Sequence, residues 1–462
     1  MRRAACLLLA LLTFLCCCNA FLSAQADRLA KERMRAILGI VSEDIQKNFY
    51  DSDLKKLDWK ALTNQARSKI DNAKTVSEMV TAIYVLVNKL DDSHTRFVPP
   101  GRGARPVFGF SAKAYGENIL VYAVAAQGAA DQAGMQAGDR ILTVNRFRAE
   151  RSTWDAMMYD FRLLHPSTEM VVTFQHGDQP PRTETLKATY RRDMAVLDIN
   201  TLIWRFWNEF EPVSFSCKLF ANKIGYLQVP TFVMSELPQS EKFDEIPKAV
   251  VLDLRGNHGG IEDTLLEFAG HFEPGPTTMG NVIGRRKTEA LKVRPRKPSF
   301  AQVPVIVLVD SESASAAEMM ARHLQLSRKA LVIGDRTSGR VNSSRYFPEV
   351  VGDTFYFQKS VGTGNVVPFG VQISVRKVVM ADGQELEHKR VIPDVACLPT
   401  ASDLLEGVDP CLAFATSRAQ ELVGKGNDLT EKVVNQIREL SSTIRTEQQQ
   451  RYNREAKQLA GE

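Results

Sequence analysis

The chain has 462 residues, of which 44% are hydrophobic and 24% are charged, and its formal net charge is +5 at pH 7. This length predicts two or three ordinary domains, and the composition excludes a disordered tail or a fibrous repeat. So small a net charge gives no indication of nucleic-acid binding, which needs a concentrated basic surface.

The N-terminus carries the pattern of an export signal, predicted here over residues 1–26. Two arginines precede an apolar run from Ala4 to Cys18, and small residues suited to signal-peptidase cleavage follow it. The run is shorter than the roughly 20 apolar residues of a membrane-spanning helix, and no later stretch is long enough. We therefore expect no transmembrane segment in the mature chain and a periplasmic or secreted location, with lipoprotein anchoring as the alternative.

Cysteine usage fits an exported protein. Once the signal is removed, the remaining cysteines are Cys217, Cys397 and Cys411. An oxidising compartment permits a disulfide between Cys397 and Cys411 without requiring it. The sequence has no CxxC or HExxH pattern, so a zinc site has little support and no cofactor is predicted.

Residues 27–100 are predicted to form an N-terminal helical region. Apolar residues recur there at helical spacing, for example at Met79, Ile83 and Leu86. The region closes with the polar run Asp92-Ser93-His94-Thr95.

Short β-rich runs follow over residues 104–190. The segment from Gly128 to Asn145 predicts a short helix of small residues, a turn and a strand, and it closely resembles part of a PDZ domain. The resemblance implies that Gly109-Phe110-Ser111 belongs to the loop that receives a peptide C-terminus while the peptide tail adds as a strand. A purely structural β-module is the alternative.

Residues 200–415 alternate strand and helix patterns, which predicts an α/β core with several buried strands. The polar residues 416–462 are predicted to be a C-terminal helical tail. Two places in the core repeat one construction, in which an apolar strand ends in a small-residue loop and a helix follows at once. These segments run from Val251 to Gly260 and from Val305 to Glu318.

The ends of both constructions suit the binding of an oxyanion, because helix starts expose unpaired N–H groups and positive partial charge. The glycine pair Gly259-Gly260 lets the backbone approach a ligand. In the second segment, small residues leave a serine hydroxyl uncovered at a helix start, although any of its three serines is also a candidate helix cap.

These segments, together with Gly334 to Gly339 and Pro393-Asp394, resemble the C-terminal-processing and tricorn-like serine peptidase family, in order over most of the chain. The resemblance implies a crotonase-like α/β core with an inserted PDZ-like domain, and hydrolysis of protein or peptide substrates through an acyl-serine intermediate. It implies Ser315 as the nucleophile. The implied oxyanion donors are the N–H of Ala316 and one N–H of the pair Gly259-Gly260.

The general base is where the sequence departs from one branch of that family. The processing proteases use a lysine at the position of Arg340, and arginine stays protonated and cannot act as the base. The tricorn-like branch uses a histidine supported by a glutamate, which match His94 and Glu387, with Ser93 between them. A histidine near neutral pKa can take the serine proton and return it to the leaving amine.

Alternatives to this assignment remain open at the sequence level. His258 is the rival base beside the predicted oxyanion loop, Lys359 is a candidate lysine base brought in by folding, and His94 also fits a helix-capping role. The alternative function is a catalytically inactive, peptidase-like binding or scaffold protein, motivated by the missing lysine. The sequence does not predict the oligomeric state.

Overall fold

The computed structural model describes residues 27–100, 104–192, 215–233, 243, 245–297, 300–351 and 367–424. The predicted export signal, residues 425–462 of the predicted tail, and Lys359 lie outside the described residues. Within these ranges, every helix falls short of the length and apolarity that a membrane span requires.

Helices build the N-terminal region, as predicted. They cover residues 27–48, Trp59–Asn72 and Val76–Asn88, with a 3-10 turn at Leu54–Lys56. The side chains of Asp58 and Thr75 accept hydrogen bonds from N–H groups of the helices that they precede, which fixes where those helices begin. The buried faces of the helices pack against Phe97, Val371 and Ile373 of a core sheet. The segment that follows Asn88 is thereby held against the core.

Residues 104–192 form a β-rich module with its own buried core. Its main sheet is antiparallel and contains Phe110–Tyr115, Asn118–Val124, Arg140–Val144, Glu169–Gln175 and Arg182–Lys187, with Phe147–Arg148 paired to the third of these. Helices lie at Ala129–Gln132 and Trp154–Tyr159, and a π-helical turn follows at Asp160–Leu164. Ala104–Val107 pairs with Thr189–Arg192, so the chain enters and leaves the module side by side.

The central sheet of the core is mainly parallel. Its strands, in spatial order, are Ser216–Leu219, Ile224–Gln228, Ala249–Asp253, Val305–Val309, Leu331–Gly334 and Val395–Ala396. Only the first described pair is antiparallel. Ala249–Asp253 and Val305–Val309 are buried at every position, which explains their continuous apolar sequences. Because these two strands are parallel neighbours, the loops at their carboxyl ends lie beside one another.

A second core sheet is antiparallel and covers one side of the central sheet. Its strands are Arg96–Val98, Val367–Met380, Thr277–Gly284 and Thr288–Val293 in order, with Ser343–Val351 also paired to Val367–Met380. The helices Glu262–Ala269 and Ala316–Ser327 contribute to the hydrophobic core that this sheet shares with the central one.

Helix Pro410–Leu422 covers the opposite face of the central sheet, where Leu412 and Ala415 pack against Tyr226 and Val251. It begins before the predicted tail at residue 416 because Asp409 caps its first turn by accepting the N–H of Leu412. A short helix, Ala401–Glu406, precedes it. Cys397 and Cys411 form a disulfide. The predicted α/β core with an N-terminal helical region is confirmed.

Candidate active site

Ser315 lies between the buried strand Val305–Val309 and the helix Ala316–Ser327. Its backbone has a φ of 55° and a ψ of −118°, a combination that residues other than glycine rarely adopt. Its N–H donates to the carbonyl oxygen of Arg340 at 2.7 Å, and the residue is half-buried. A serine held in a strained backbone at a helix start matches the placement of known nucleophilic serines.

The loop after strand Ala249–Asp253 brings Gly259 against Ser315. A Cβ atom at Gly259 would lie 2.6 Å from Cβ of Ser315, and the φ of Gly259 is +101°. Gly260, with a φ of +151°, packs as closely on the backbone of Phe232. Both positions therefore require glycine, since a side chain would clash and would also disfavour the backbone angle.

The predicted oxyanion donors differ in what their N–H groups already bind. The N–H of Gly259 donates to Oδ1 of Asn257 at 2.7 Å, so it is engaged within its own loop. Ala316 is the first helical residue after Ser315, and an N–H at that position has no acceptor within its helix. Gly260 is thus the member of the glycine pair better suited to donate to a ligand.

His94 lies in the turn between helix Val76–Asn88 and strand Arg96–Val98, and Asp92 holds that turn in shape. Oδ1 of Asp92 accepts the N–H of His94 at 3.2 Å and the hydroxyl of Thr95 at 2.8 Å. Its Oδ2 accepts the side-chain amide of Asn342 at 2.9 Å. The histidine predicted from the N-terminal region is therefore fixed to the core by a partly buried polar network.

Glu387, Ser93 and His94 are in contact. Oε1 of Glu387 accepts the N–H of Ser93 at 2.9 Å, and Oε2 accepts the N–H of Val341 at 2.9 Å. Oγ of Ser93 lies 3.0 Å from Nδ1 of His94. Glu387 thus binds the backbone of Ser93, whose side chain contacts the imidazole.

The environment favours a neutral imidazole and an ionised glutamate. Burial lowers the pKa of His94, and the negative charges of Glu387 and Asp92 offset only part of that effect. Burial alone would raise the pKa of Glu387, but hydrogen bonds from the N–H groups of Val341 and Ser93 outweigh it and lower the pKa. A neutral histidine is the form that accepts a proton.

The segment Arg340-Val341 joins this group to Ser315. Arg340 accepts the serine N–H through its carbonyl, and the next N–H, of Val341, binds Glu387. Within the described residues, no hydrogen bond joins the imidazole of His94 directly to Ser315. In enzymes without substrate such catalytic hydrogen bonds are often long and tighten on binding.

Arg340 and His258, weighed above as bases, lie within the described residues. The guanidinium of Arg340 forms an ion pair with Asp155 of the β-rich module. His258 is exposed in the loop that carries Gly259. Lys359 lies outside the described residues.

Glu318 is a site residue that the sequence reasoning did not single out. It is fully buried, and its Oε1 accepts the hydroxyl of Thr337 and the N–H of Gly339, the latter at 2.8 Å. Its Oε2 accepts the N–H groups of Arg340 at 2.9 Å and Ser315 at 3.2 Å. The signal was available, because a glutamate three residues after a serine at a helix start is the spacing of a capping box.

Arg255 anchors the start of the glycine loop. Its guanidinium binds both carboxylate oxygens of Asp253 and both of Asp409, at distances of 2.7 to 3.0 Å. The Tyr226 hydroxyl also donates to Asp253, at 2.9 Å. This network ties the loop to the first turn of helix Pro410–Leu422.

The predicted carboxylate-binding loop lies in the β-rich module. Gly109 has a φ of +85°, and a Cβ atom there would lie 3.2 Å from the N atom of Ala129. Phe110 begins strand Phe110–Tyr115, which lies at the edge of the described sheet, and Ser111 follows it. Two carbonyls of this strand are engaged: Ala112 accepts the indole N–H of Trp154 at 3.2 Å, and Ala114 accepts the hydroxyl of Ser311 at 2.5 Å.

Comparisons with known proteins agree on the kind of core. Residues 223–397 match the profile of peptidase family S41. The chain is 26% identical over 360 residues to carboxyl-terminal-processing peptidase 1, chloroplastic, of Arabidopsis thaliana, a match that covers 73% of this chain and 66% of that protein. It is 30% identical over 182 residues to the carboxy-terminal processing protease CtpA of Bacillus subtilis, which covers 38% of this chain and 35% of the relative. The chain thus spans about two thirds or less of the length of these two relatives.

A solved structure extends the likeness beyond the matched core. The crystal structure of mature CPAF superposes with a TM-score of 0.62 at 14% sequence identity, over 87% of this chain and 99% of that chain. At this identity the likeness establishes a shared fold and leaves function to the site itself.

Proposed function

Because residues 223–397 match peptidase family S41, a family of serine-type peptidases, we propose that the chain is an exported enzyme that hydrolyses protein substrates through an acyl-serine intermediate. The observation that carries the proposal is the link between the strained Ser315 and the chain Glu387–Ser93–His94 through Arg340-Val341. Nucleophile and base would thus be presented by one connected framework.

The proposed base is Nε2 of His94. The hydroxyl of Ser93 lies 3.0 Å from Nδ1, and the side chain of Ser93 contributes to lowering the pKa of Glu387. If Ser93 accepts from Nδ1–H and donates to Glu387, the imidazole proton stays on Nδ1 and Nε2 keeps a free lone pair. Glu387 then stabilises the imidazolium that forms during the reaction.

In the first step, Oγ of Ser315 attacks the carbonyl carbon while His94 takes the hydroxyl proton. The electron pair moves onto the carbonyl oxygen, where the N–H groups of Ala316 and Gly260 are the proposed donors. The C–N bond then breaks, and His94 returns its proton to the leaving amine. Water hydrolyses the acyl-serine by the same route, which regenerates Ser315.

The test is covalent labelling with a fluorophosphonate probe, which phosphonylates an activated serine. We expect the folded wild type to be labelled at Ser315, as located by peptide mass spectrometry, and expect Ser315→Ala and His94→Ala to lose labelling. Ser402→Ala, an exposed serine of helix Ala401–Glu406, is the matched control and should label as the wild type does. A folded wild type that is not labelled under any condition tried would reject the proposal.

Export is supported by the disulfide between Cys397 and Cys411, because such bonds persist in oxidising compartments. The experiment is to express the full chain and determine the N-terminus of the mature protein by mass spectrometry. Cleavage between residues 18 and 27 would support export, whereas an intact N-terminus on a cytosolic protein would contradict it. A lipid on one of the cysteines at the end of the apolar run would support lipoprotein anchoring instead.

Binding of peptide tails by the β-rich module is the second part of the proposal. Strand Phe110–Tyr115 lies at the sheet edge and directly follows Gly109, as strand addition requires. The carbonyls of Ala112 and Ala114 already accept hydrogen bonds from Trp154 and Ser311. A peptide that pairs along the whole strand would therefore have to replace those bonds.

A catalytically inactive binding protein is the competing candidate. It is favoured by Arg340 at the position of the lysine base and by the missing direct hydrogen bond between His94 and Ser315. The same labelling experiment separates the two functions. An unlabelled, folded wild type that still binds peptides with free C-termini would favour the binding protein.

A further inference from the structure

Lys113 reaches from the β-rich module into the loop that carries Ser315. It lies on the edge strand Phe110–Tyr115, and its Nζ is 2.6 Å from Oδ2 of Asp310 and 3.0 Å from Oε2 of Glu312. The rings of Tyr115 and Tyr122 lie 5.5 and 5.3 Å from the same ammonium group. Two carboxylates and two aromatic rings therefore hold the ammonium group of Lys113 in place.

Asp310, the main partner of Lys113, organises the loops on both sides of the candidate active site. Its Oδ1 accepts the N–H groups of Glu312 and Ser313, each at 3.0 Å, within the loop that leads to Ser315. The same oxygen accepts the N–H of Gly256, also at 3.0 Å, from the loop that carries Gly259 and Gly260. One carboxylate therefore sets the nucleophile loop against the glycine loop.

Further bonds make these loops a single unit. The hydroxyl of Ser313 donates to the carbonyl of Leu254 at 2.8 Å, and the N–H of Ala314 donates to the carbonyl of Asn257 at 2.9 Å. A displacement of Asp310 would therefore change the separation between Ser315 and the N–H of Gly260.

The pair is secluded from solvent, so it differs from a screened surface salt bridge. The side chains of Lys113 and Asp310 are 17% and 9% exposed. Burial alone would raise the pKa of Asp310, but the charge and hydrogen bond of Lys113, helped by the N–H of Gly256, lower it to about 2. Removal of Lys113 would leave a buried carboxylate that favours protonation or a shift toward water.

We propose that Lys113 is a positioning residue for peptide-bond hydrolysis, which acts through Asp310 to hold the glycine loop and Ser315 in register. The β-rich module is then a structural part of the active site in addition to any role in peptide binding. This inference rests on the proposed function, because it concerns the reactivity of Ser315.

The test compares Lys113→Met, which removes the charge at similar length, with Lys113→Arg, which keeps it. Lys187→Met is the matched control, since Lys187 is an exposed lysine on strand Arg182–Lys187 of the same module. The rate of labelling of each variant is measured over a range of fluorophosphonate concentrations. This gives two separate quantities, the maximal labelling rate and the probe concentration at which half of that rate is reached. If Lys113→Met does not fold, Lys113→Gln replaces it, because it keeps a hydrogen-bond donor without the charge.

We expect Lys113→Met to be labelled about tenfold to a hundredfold more slowly at saturating probe, with the half-saturating concentration unchanged. This loss is smaller than the roughly 10²- to 10³-fold caused by removal of an oxyanion donor itself, because Lys113 acts through Asp310. Lys113→Arg should recover most of the rate, and Lys187→Met should match the wild type. Lys113→Met labelled at the wild-type rate would overturn the role of Lys113, whereas a wild type without labelling would instead reject the proposed function.

Amide hydrogen exchange decides the role of Lys113 even if the wild type is not labelled. In Lys113→Met we expect faster exchange at the N–H groups of Gly256 and Ser313, which Asp310 accepts, and no change there in Lys187→Met. Unchanged exchange at Gly256 and Ser313 in Lys113→Met would overturn the inference.

Discussion

The carbonyl oxygen of Arg340 accepts the N–H of Ser315 at 2.7 Å. The N–H of the following residue, Val341, binds the carboxylate of Glu387, which in turn binds Ser93 beside His94. Two consecutive backbone groups thus hold the candidate nucleophile and the support of the candidate base. Arg340 thus contributes to the site through its backbone, while its side chain pairs with Asp155.

Replacement of His94 should slow catalysis strongly, whereas replacement of His258 should have little effect. We expect His94→Ala to lower kcat by about 10²- to 10⁴-fold, the usual contribution of a general base. His258 is exposed, and we expect His258→Ala to keep more than a third of the wild-type rate on casein. Loss of activity in His258→Ala together with an active His94→Ala would transfer the base to His258.

Activity should fall on acidification at a lower pH than an ordinary histidine would give. Burial lowers the pKa of His94, with Glu387 and Asp92 opposing, and only the neutral imidazole accepts the serine proton. The labelling rate should therefore be constant above the lowered pKa and decline below it, with a midpoint under the reference value of about 6.5. A midpoint clearly above that value would contradict the assignment of His94 as base.

Two variants should move that midpoint in opposite directions. Glu387 raises the pKa of His94 and Arg340 lowers it. Glu387→Gln should thus shift the acid limb to lower pH, and Arg340→Ala should shift it to higher pH. The measurement is the labelling rate of folded protein across pH, with Lys187→Met as the control that should leave the midpoint in place.

Glu318 should make stability depend on pH in a direction opposite to most carboxylates. Burial raises its pKa to about 7, although the hydroxyl of Thr337 and the N–H groups of Arg340, Gly339 and Ser315 act against the shift. The folded protein holds this proton more tightly than the unfolded chain, so its contribution to stability is fully present below about pH 4.3 and is lost as pH rises to about 7. The loss is on the order of 4 kcal/mol, at 1.36 kcal/mol per unit of pKa.

The check is urea unfolding of the wild type and Glu318→Gln between pH 4 and pH 8. Because the variant does not ionise there, the difference between its free energy of unfolding and that of the wild type should change with pH by that amount. Glu318→Gln also places an amide against N–H donors, so we expect slower labelling of Ser315 at every pH. A pH-independent difference in the free energy of unfolding would show that folding leaves the pKa of Glu318 unchanged.

Much of the fold could be predicted from sequence because its signals are local. The continuous apolar runs that became Ala249–Asp253 and Val305–Val309 indicated doubly buried strands, and the helical spacing of Met79, Ile83 and Leu86 indicated a buried helix face. The ends of helices were harder to predict, because one side chain can decide where a helix begins. Helix Pro410–Leu422 begins where Asp409 caps its first turn.

In the candidate site, too, local motifs could be predicted from sequence, whereas contacts between distant segments could not. Ser315 and Gly259 lie in local motifs, and the family resemblance implied that both contribute to one oxyanion site. The structure adds that the strands before them are parallel neighbours. The contact of Lys113 with Asp310 joins residues 197 positions apart and depends on how the β-rich module docks, which no local pattern encodes. The engagement of the Gly259 N–H by Asn257 likewise depends on the detailed path of the loop.

Peptide binding to the β-rich module should compete with the hydroxyl of Ser311. That hydroxyl donates to the carbonyl of Ala114 on the edge strand, and Ser311 belongs to the loop that leads to Ser315. Ser311→Ala frees the carbonyl, and we expect fluorescein-labelled peptides with free C-termini to bind about fivefold more tightly, the equivalent of one hydrogen bond of about 1 kcal/mol. Fluorescence anisotropy measures the change, with amidated peptides and Ser402→Ala as controls. Equal affinity of Ser311→Ala and the wild type would mean that bound peptides do not reach Ala114. Weaker binding by Ser311→Ala would mean that the hydrogen bond from Ser311 keeps the edge strand in the conformation that binds peptides.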